Sequence, residues 1–223
     1  MKSMKINILT LFPEFFETPL QSSILKRAQD QQLVEINILN IRDFATDKHH
    51  TTDDRPFGGG PGMVMMVEPI DLALEKVESE KSKEKSYQSK TILTSAQGKV
   101  FTQQLAQEYS QLDEITLICG HYEGVDERVV EHLIDEEVRI GDYVLTGGEA
   151  AVLVMLDAVA RLIPGVLGND LSNQDESHSE PGKLGFPQYT RPADYKGWKV
   201  PEVLVEGHHA KIQQWREEQR KKD

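Results

Sequence analysis

The stretch Val138-Arg-Ile-Gly-Asp-Tyr-Val-Leu-Thr-Gly-Gly-Glu149 decides how the rest of this chain is read. It continues an apolar-edged run, Glu137 to Ile140, that ends at Gly141. Its Gly147-Gly148 pair stands just ahead of an almost wholly apolar helical run, Ala150 to Ile163. Upstream, the apolar run Ile115 to Cys119 ends in Gly120-His-Tyr-Glu-Gly124. Two adjacent strands that both end in glycine-bearing loops make a crevice at the carboxyl edge of a parallel sheet, where open α/β sheets bind ligands. Glycine lets backbone N–H and C=O groups approach such a ligand closely. An ordinary tight turn explains any one of these glycines. Their clustering within about thirty residues points to a site.

The chain has 223 residues, enough for one substantial core and a small appended module. No apolar run approaches the ~20 residues of a membrane span, and the N-terminus lacks a signal-peptide pattern. The single cysteine, Cys119, excludes an intrachain disulfide framework and fits a reducing compartment, so a cytoplasmic location is expected. The net charge of −12 argues against a polyanionic partner until its distribution is considered. Residues 1–182 carry 16 Lys+Arg against 31 Asp+Glu, whereas residues 183–223 carry 9 against 6. A mildly basic tail on an acidic body suggests a partner-binding module; a solvated terminal helix has the same composition.

Outward from the central stretch, the pattern is that of an α/β protein. Lys5 to Leu11 reads as a buried strand broken by Phe12-Pro13, and Ser22 or Ser23 caps a helix carrying Ile24, Leu25 and Ala28. Val34 to Leu39 is a second strand. From Arg42 to Gly62 the periodicity stops in Asp53-Asp-Arg-Pro-Phe-Gly-Gly-Gly-Pro-Gly62, a polar and glycine-rich run of a kind usually functional or disordered. It matches neither the dinucleotide fingerprint nor the P-loop. Asp54 and Arg55 read either as a loop brace or as a substrate clamp. His49-His50 have no second ligand pair, so no metal site is expected. Glu68 to Lys81 is a helix, Lys90 to Leu93 a third strand ending in Thr94-Ser-Ala-Gln-Gly98, and Thr102 opens a helix through Tyr109. Residues 165–182 are a linker by composition, though Asp175, Glu176 and His178 within it are all able to move protons. His208 to Arg220 is a helix with Ile212 and Trp215 inward and Arg216, Arg220, Lys221 and Lys222 outward; His208 reads as a cap or a phosphate contact.

Several of these runs together resemble the bacterial tRNA (guanine-N1)-methyltransferases, which methylate guanine 37 beside the anticodon. The residues that carry the resemblance are Asp53-Asp-Arg-Pro-Phe-Gly-Gly-Gly-Pro-Gly-Met63, Cys119-Gly-His-Tyr-Glu-Gly-Val-Asp-Glu-Arg128, Ile140-Gly-Asp-Tyr-Val-Leu-Thr-Gly-Gly-Glu149, Arg161-Leu-Ile-Pro-Gly-Val-Leu-Gly168 and Tyr189-Thr-Arg-Pro192. They run in order over about Lys5 to Arg216. The resemblance implies a knotted SPOUT-type α/β domain over residues 1–163, with a trefoil threaded through a parallel sheet. A linker at 164–182 and a shortened, mainly helical tRNA-binding module at 183–223 would follow.

It further implies a homodimer that binds S-adenosyl-L-methionine in loops 93–98, 118–124 and 138–148. The matching cofactor positions are Thr94, Ser95, Ala96, Gly98, Gly120, Tyr122, Glu123, Ile140, Gly141, Asp142, Tyr143, Val144, Leu145, Gly147 and Gly148. Asp54, Arg55, Gly59, Gly60, Pro61, His208 and Arg216 are the implied tRNA-binding positions. Arg161 and a linker carboxylate are the implied catalytic pair. Threading from Arg161 puts Glu176 where the family commonly has aspartate, directly after Asp175, so both carboxylates remain candidates for the base. Ala96 stands where proline is frequent, and the chain ends at Asp223 where the family usually continues.

The chemistry fits this inventory. Guanine N1 is a poor nucleophile until a positioned base removes its proton. Deprotonation throws charge onto O6, which a guanidinium can stabilise, and the target base must leave its stack to be reached. Three alternatives are weaker. A knotted methyltransferase for another RNA position sits badly with the Asp53–Met63 loop, a non-catalytic RNA-binding relative with the intact Gly141 and Gly147-Gly148, and a nicotinamide oxidoreductase with the missing fingerprint.

Overall fold

The structure is a computed structural model that describes residues 3–167, 176–180 and 182–220. The chain divides into two compact units, Met1–Gly168 and Asn169–Asp223.

The first unit is mixed α/β with a central parallel sheet. Strand β1 (Met4–Thr10) is followed by helices α1 (Glu14–Leu20) and α2 (Ser23–Asp30) and by β2 (Val34–Asn40), which pairs parallel to β1. After a 3₁₀ turn at Ile41–Phe44 come two short antiparallel strands, β3 (Asp53–Asp54) and β4 (Val64–Met65), and helix α3 (Val67–Ser79). The chain continues through β5 (Ser89–Val100), α4 (Gln103–Tyr109), β6 (Glu114–Cys119), α5 (Glu127–His132), β7 (Glu136–Arg139) and α6 (Glu149–Ala160). The five long strands lie in the order β2-β1-β6-β5-β7, every pairing parallel.

Helices cover both faces, which is why β6 is buried at all six positions, Glu114 and Thr116 included. Successive side chains alternate between the faces. Ile6, Ile8, Ile92, Ile115 and Leu117 join Phe16, Leu25, Leu105, Val152, Met155 and Val159 in one cluster. Leu9, Leu93 and Ile118 join Ile70, Ala73, Val77 and Val129 in the other. The helix α1 was not expected from sequence. Pro13 takes its N-cap position, where a missing N–H costs nothing, so the proline that breaks the strand opens a helix. Ser22 does stand at the N-cap of α2, but its hydroxyl donates to the Thr18 carbonyl at 2.9 Å instead of capping.

Strand β5 runs past the predicted Leu93. Thr94 and Lys99 both pair with Val138, so residues 95–98 are carried out of the ladder as a bulge between two paired segments. Helix α6 ends at Ala160, short of the predicted Ile163, and the chain turns through Arg161 to Ile163 ahead of Pro164.

The second unit holds a hairpin of β8 (Asp194–Tyr195) and β9 (Trp198–Lys199), the short helix α7 (Glu202–Val205) and α8 (His209–Gln219). Trp215 packs against Tyr189 with ring centroids 6.2 Å apart. The expectation of a free outward face at Arg216 and Arg220 needs correction. Both guanidiniums lie over the Phe186 ring, at 4.8 and 5.2 Å, and the Arg220 side chain is only 7% exposed. Cation–π attraction and the apolar arginine stem account for this placement. Lys221 and Lys222 lie outside the described residues.

Candidate functional site

A cleft of about 250 Å³ opens at the carboxyl ends of β5, β6 and β7. Three loops build it, and glycine is what lets them touch. The Gly120 N–H donates to the Thr94 hydroxyl at 3.3 Å, and that hydroxyl donates to the Ile118 carbonyl at 3.1 Å. The Gly148 N–H donates to the Gly120 carbonyl at 2.7 Å, and His121 and Gly147 form an antiparallel bridge. A Cβ on Gly148 would lie 2.9 Å from both Cys119 Cα and Gly120 N and would overlap the Thr94 hydroxyl. A Cβ on Gly120 would lie 2.8 Å from the Thr94 carbonyl oxygen. Beside Gly141 the Tyr143 ring fills the space a side chain would need. The first two contacts are with backbone, which cannot swing aside.

Thr94, Ser95, Ala96, Gly120, Tyr122, Glu123, Ile140, Gly141, Tyr143, Val144, Leu145, Gly147 and Gly148 all line this cleft. Gly98 and Asp142, which the resemblance grouped with them, do not line it. Gly98 is buried in the β5 bulge against the backbone of Glu137 and Val138, and its carbonyl accepts from an Arg139 guanidinium nitrogen. The Asp142 carboxylate accepts from Arg139 Nε at 2.9 Å. Both therefore shape the loop around Arg139 instead of facing the cleft.

One residue lining the cleft and one buried beside it escaped the sequence reading. His121 lines the cleft, its ring 4.9 Å from those of Phe12 and Tyr122. Glu149 is buried in the first turn of α6, where a carboxylate suits the helix dipole. It accepts from the Thr10 hydroxyl at 2.9 Å and lies 4.0 Å from His121 Nδ1. The signal for Glu149 was present in sequence, as a lone acid opening an apolar helix.

Cys119 ends β6 under the cleft. Burial pushes its thiol well above the ordinary value, and the nearby Glu149 charge adds to the effect. It is therefore a neutral packing group rather than a nucleophile. Among the described residues no cluster of His, Cys, Asp or Glu is spaced to hold a metal ion.

The glycine-rich loop reaches the lip of the cleft. Glu123 N–H donates to the Met63 carbonyl at 3.0 Å, and Met65 N–H to the Gly124 carbonyl at 2.9 Å. Gly62 lies so close to the Glu123 side chain that a Cβ there would sit 2.9 Å from the carboxyl carbon. Gly59 and Gly60 have φ of +81° and +128° with Phe57 fully exposed beside them, so the loop tip stands in solvent. Pro61 is exposed as well. Asp54 braces this loop by accepting from the Arg55 backbone N–H at 2.7 Å.

The remaining candidates lie elsewhere. Arg161 caps the far end of α6, whose 12 residues at 1.5 Å rise put it roughly 18 Å along the axis from Gly148. Glu176, His208 and Arg216 belong to the second unit, and Asp175 lies outside the described residues. His208 takes the N-cap position of α8 but its side chain makes no capping bond.

The profile of the family described as tRNA (Guanine-1)-methyltransferase TrmD matches residues 4–223. The chain is 56% identical over 216 residues to a tRNA (guanine-N(1)-)-methyltransferase of Carboxydothermus hydrogenoformans, spanning 97% of this chain and 82% of that protein. It is 56% identical over 216 residues to the protein of that name from Ruminiclostridium cellulolyticum, spanning 97% and 91%. For the Staphylococcus carnosus protein of the same name the identity is 52% over 217 residues, spanning 97% and 86%.

Proposed function

Because the chain belongs to the tRNA (guanine-1)-methyltransferase family, we propose that it transfers a methyl group from S-adenosylmethionine to N1 of guanine 37 in tRNA. The observation that carries this reading is the cleft where Gly120, Gly141, Gly147 and Gly148 bring bare backbone to the ends of three parallel strands. A cofactor with an adenine ring, a ribose and an amino-acid tail suits such a surface, because backbone N–H and C=O groups read its edges without side chains intervening.

The Ile140–Leu145 and Gly120 backbones are the positions that would hold it, with Thr94 to Ala96 closing one side and the Glu123 carboxylate available to an ammonium group. When bound, S-adenosylmethionine supplies a methyl group already activated by its sulfonium. The protein then has to align the guanine and remove its N1 proton. The linker carboxylate, Glu176 or Asp175, takes that proton, and the Arg161 guanidinium stabilises the charge that appears on O6.

The length of α6 supports a homodimer in this scheme. Arg161 and the linker leave the sheet at the end of the helix remote from the cleft, so their natural target is the cleft of a second copy. The trefoil knot belongs to the same proposal, its loops being 93–98, 118–124 and 138–148. The domain roles follow, with the cofactor and its chemistry in residues 1–163, the base in the linker 164–182 and tRNA recognition in 183–223. Among the described residues no helix is long and apolar enough to cross a membrane, and we place the enzyme in the cytoplasm with its tRNA.

The test is labelled methyl transfer to two anticodon-stem transcripts differing only at position 37. Transfer to the guanine transcript and none to the adenine transcript is expected. Equal labelling of both, or of neither, would overturn the assignment.

A further inference from the structure

The β8–β9 hairpin displays two large aromatic rings to solvent at a stiff tip. Tyr195 pairs with Trp198 across the ladder, so both side chains stand on one face. Their centroids are 5.7 Å apart at 59°, and they are 52% and 73% exposed. Lys196 and Gly197 form the turn with φ of +57° and +86°, the left-handed pair of a tight two-residue hairpin. The Asp194 carboxylate locks it by accepting from the Gly197 N–H at 2.8 Å. The Lys196 ammonium lies 5.3 Å from the Tyr195 ring centroid, and Arg191 and Lys199 are exposed nearby in sequence.

Rings of this size are ordinarily buried, and these two are each more than half exposed. Lys196 lies against the Tyr195 ring, with Arg191 and Lys199 exposed nearby in sequence, in a chain whose net charge is −12. An acidic protein that must hold a polyanion has to concentrate its attraction locally, and aromatic faces interleaved with cations are how single-stranded nucleic acid is gripped.

We propose that the Tyr195–Trp198 face is a stacking platform for an unpaired nucleotide of the tRNA substrate, with Lys196 beside an adjoining phosphate. The proposal rests on the tRNA reading above and adds a specific contact surface to it. The stiff turn matters because rings already held in place lose little freedom when a base stacks on them. Any base presents a π-face, so the platform supplies affinity without reading sequence.

The experiment compares the wild-type chain with Trp198→Ala, Trp198→Phe and Tyr195→Ala. Binding of a full tRNA transcript is measured directly, with methyl transfer kinetics and cofactor calorimetry alongside. Trp198→Ala should weaken tRNA binding about 10-fold, a loss of about 1.4 kcal/mol and within the range of one stacked base. The kinetic loss should fall on the tRNA KM while the cofactor Kd holds. Trp198→Phe should keep most of the affinity but lose the tryptophan quenching seen when tRNA is added to the wild type.

Replacing Lys196 by alanine should flatten the salt dependence of binding. Unaltered tRNA affinity in Trp198→Ala would overturn the proposal while leaving the methyltransferase reading intact. A wild-type chain that binds no tRNA would overturn both. Sedimentation of Trp198→Ala as a smaller species than wild type would assign the face to a second copy of the chain, and so overturn the RNA contact.

Discussion

At the scale of single residues, the proposed reaction turns on which linker carboxylate takes the proton from guanine N1. Aspartate and glutamate side chains have similar intrinsic basicity, so position decides between Asp175 and Glu176. Glu176 has the spacing from Arg161 that the resemblance assigns to the base, and its extra methylene lets it serve if the linker sits slightly further back. Glu176→Gln preserves shape and hydrogen bonding while removing the base, so single-turnover methyl transfer should fall by ~10²-fold or more. Raising the pH should partly restore this variant, because guanine N1 then ionises without help and the rate climbs as protons leave. Asp175→Asn should cost far less, and neither change should alter cofactor affinity. If Asp175→Asn is the inactive variant, the register of the linker is one residue off.

Among elements, α6 and the glycine pair before it decide whether the cleft exists. Gly148 is pinned between the Thr94 hydroxyl and the backbone of Cys119 and Gly120, so Gly148→Ala forces the third loop away from the other two. Overpacking of this kind costs about 1–3 kcal/mol, and each kcal/mol lowers Tm by about 2–4 °C in a chain of this size. Calorimetric scanning should show that fall, together with a loss of S-adenosylmethionine binding larger than the stability change explains. A variant that binds the cofactor normally would remove Gly148 from the site.

The glycine pattern made these loops legible in sequence, because close backbone approach demands a residue type that is visible as a letter. What stayed hidden was what depends on partners distant along the chain. Gly98 looked like a cofactor glycine and packs on Val138; Asp142 looked like a ligand and binds Arg139. His121 joins the cleft only because Gly147 returns to it across the sheet edge. Arg216 and Arg220 were expected to face outward and lie over Phe186, thirty residues or so away in sequence, a contact that helical periodicity cannot anticipate.

For the whole molecule, the alternation of strands and helices was enough to identify a parallel α/β sheet. The order β2-β1-β6-β5-β7 was not readable, because parallel neighbours are joined by crossovers and share no turn. The same separation of strand ends from helix ends bears on assembly. The cleft lies at the start of α6 and Arg161 at its end, so in the proposed scheme a complete site takes its cleft from one copy and its arginine and base from another.

Co-expression of two differently tagged chains tests this directly. One carries Gly148→Ala, which damages its cleft; the other carries Glu176→Gln, which removes its base. Each homodimer is expected to be nearly inactive. In a mixed twofold dimer, one site inherits both defects and the other inherits neither, so random pairing should recover about a quarter of wild-type activity. Doubly purified mixed dimer should recover about half. If base and cleft belonged to the same copy, every site in the mixture would carry one defect. Activity in the doubly tagged fraction no higher than in the two homodimers would therefore sink the shared site, as would sedimentation of a fully active monomer.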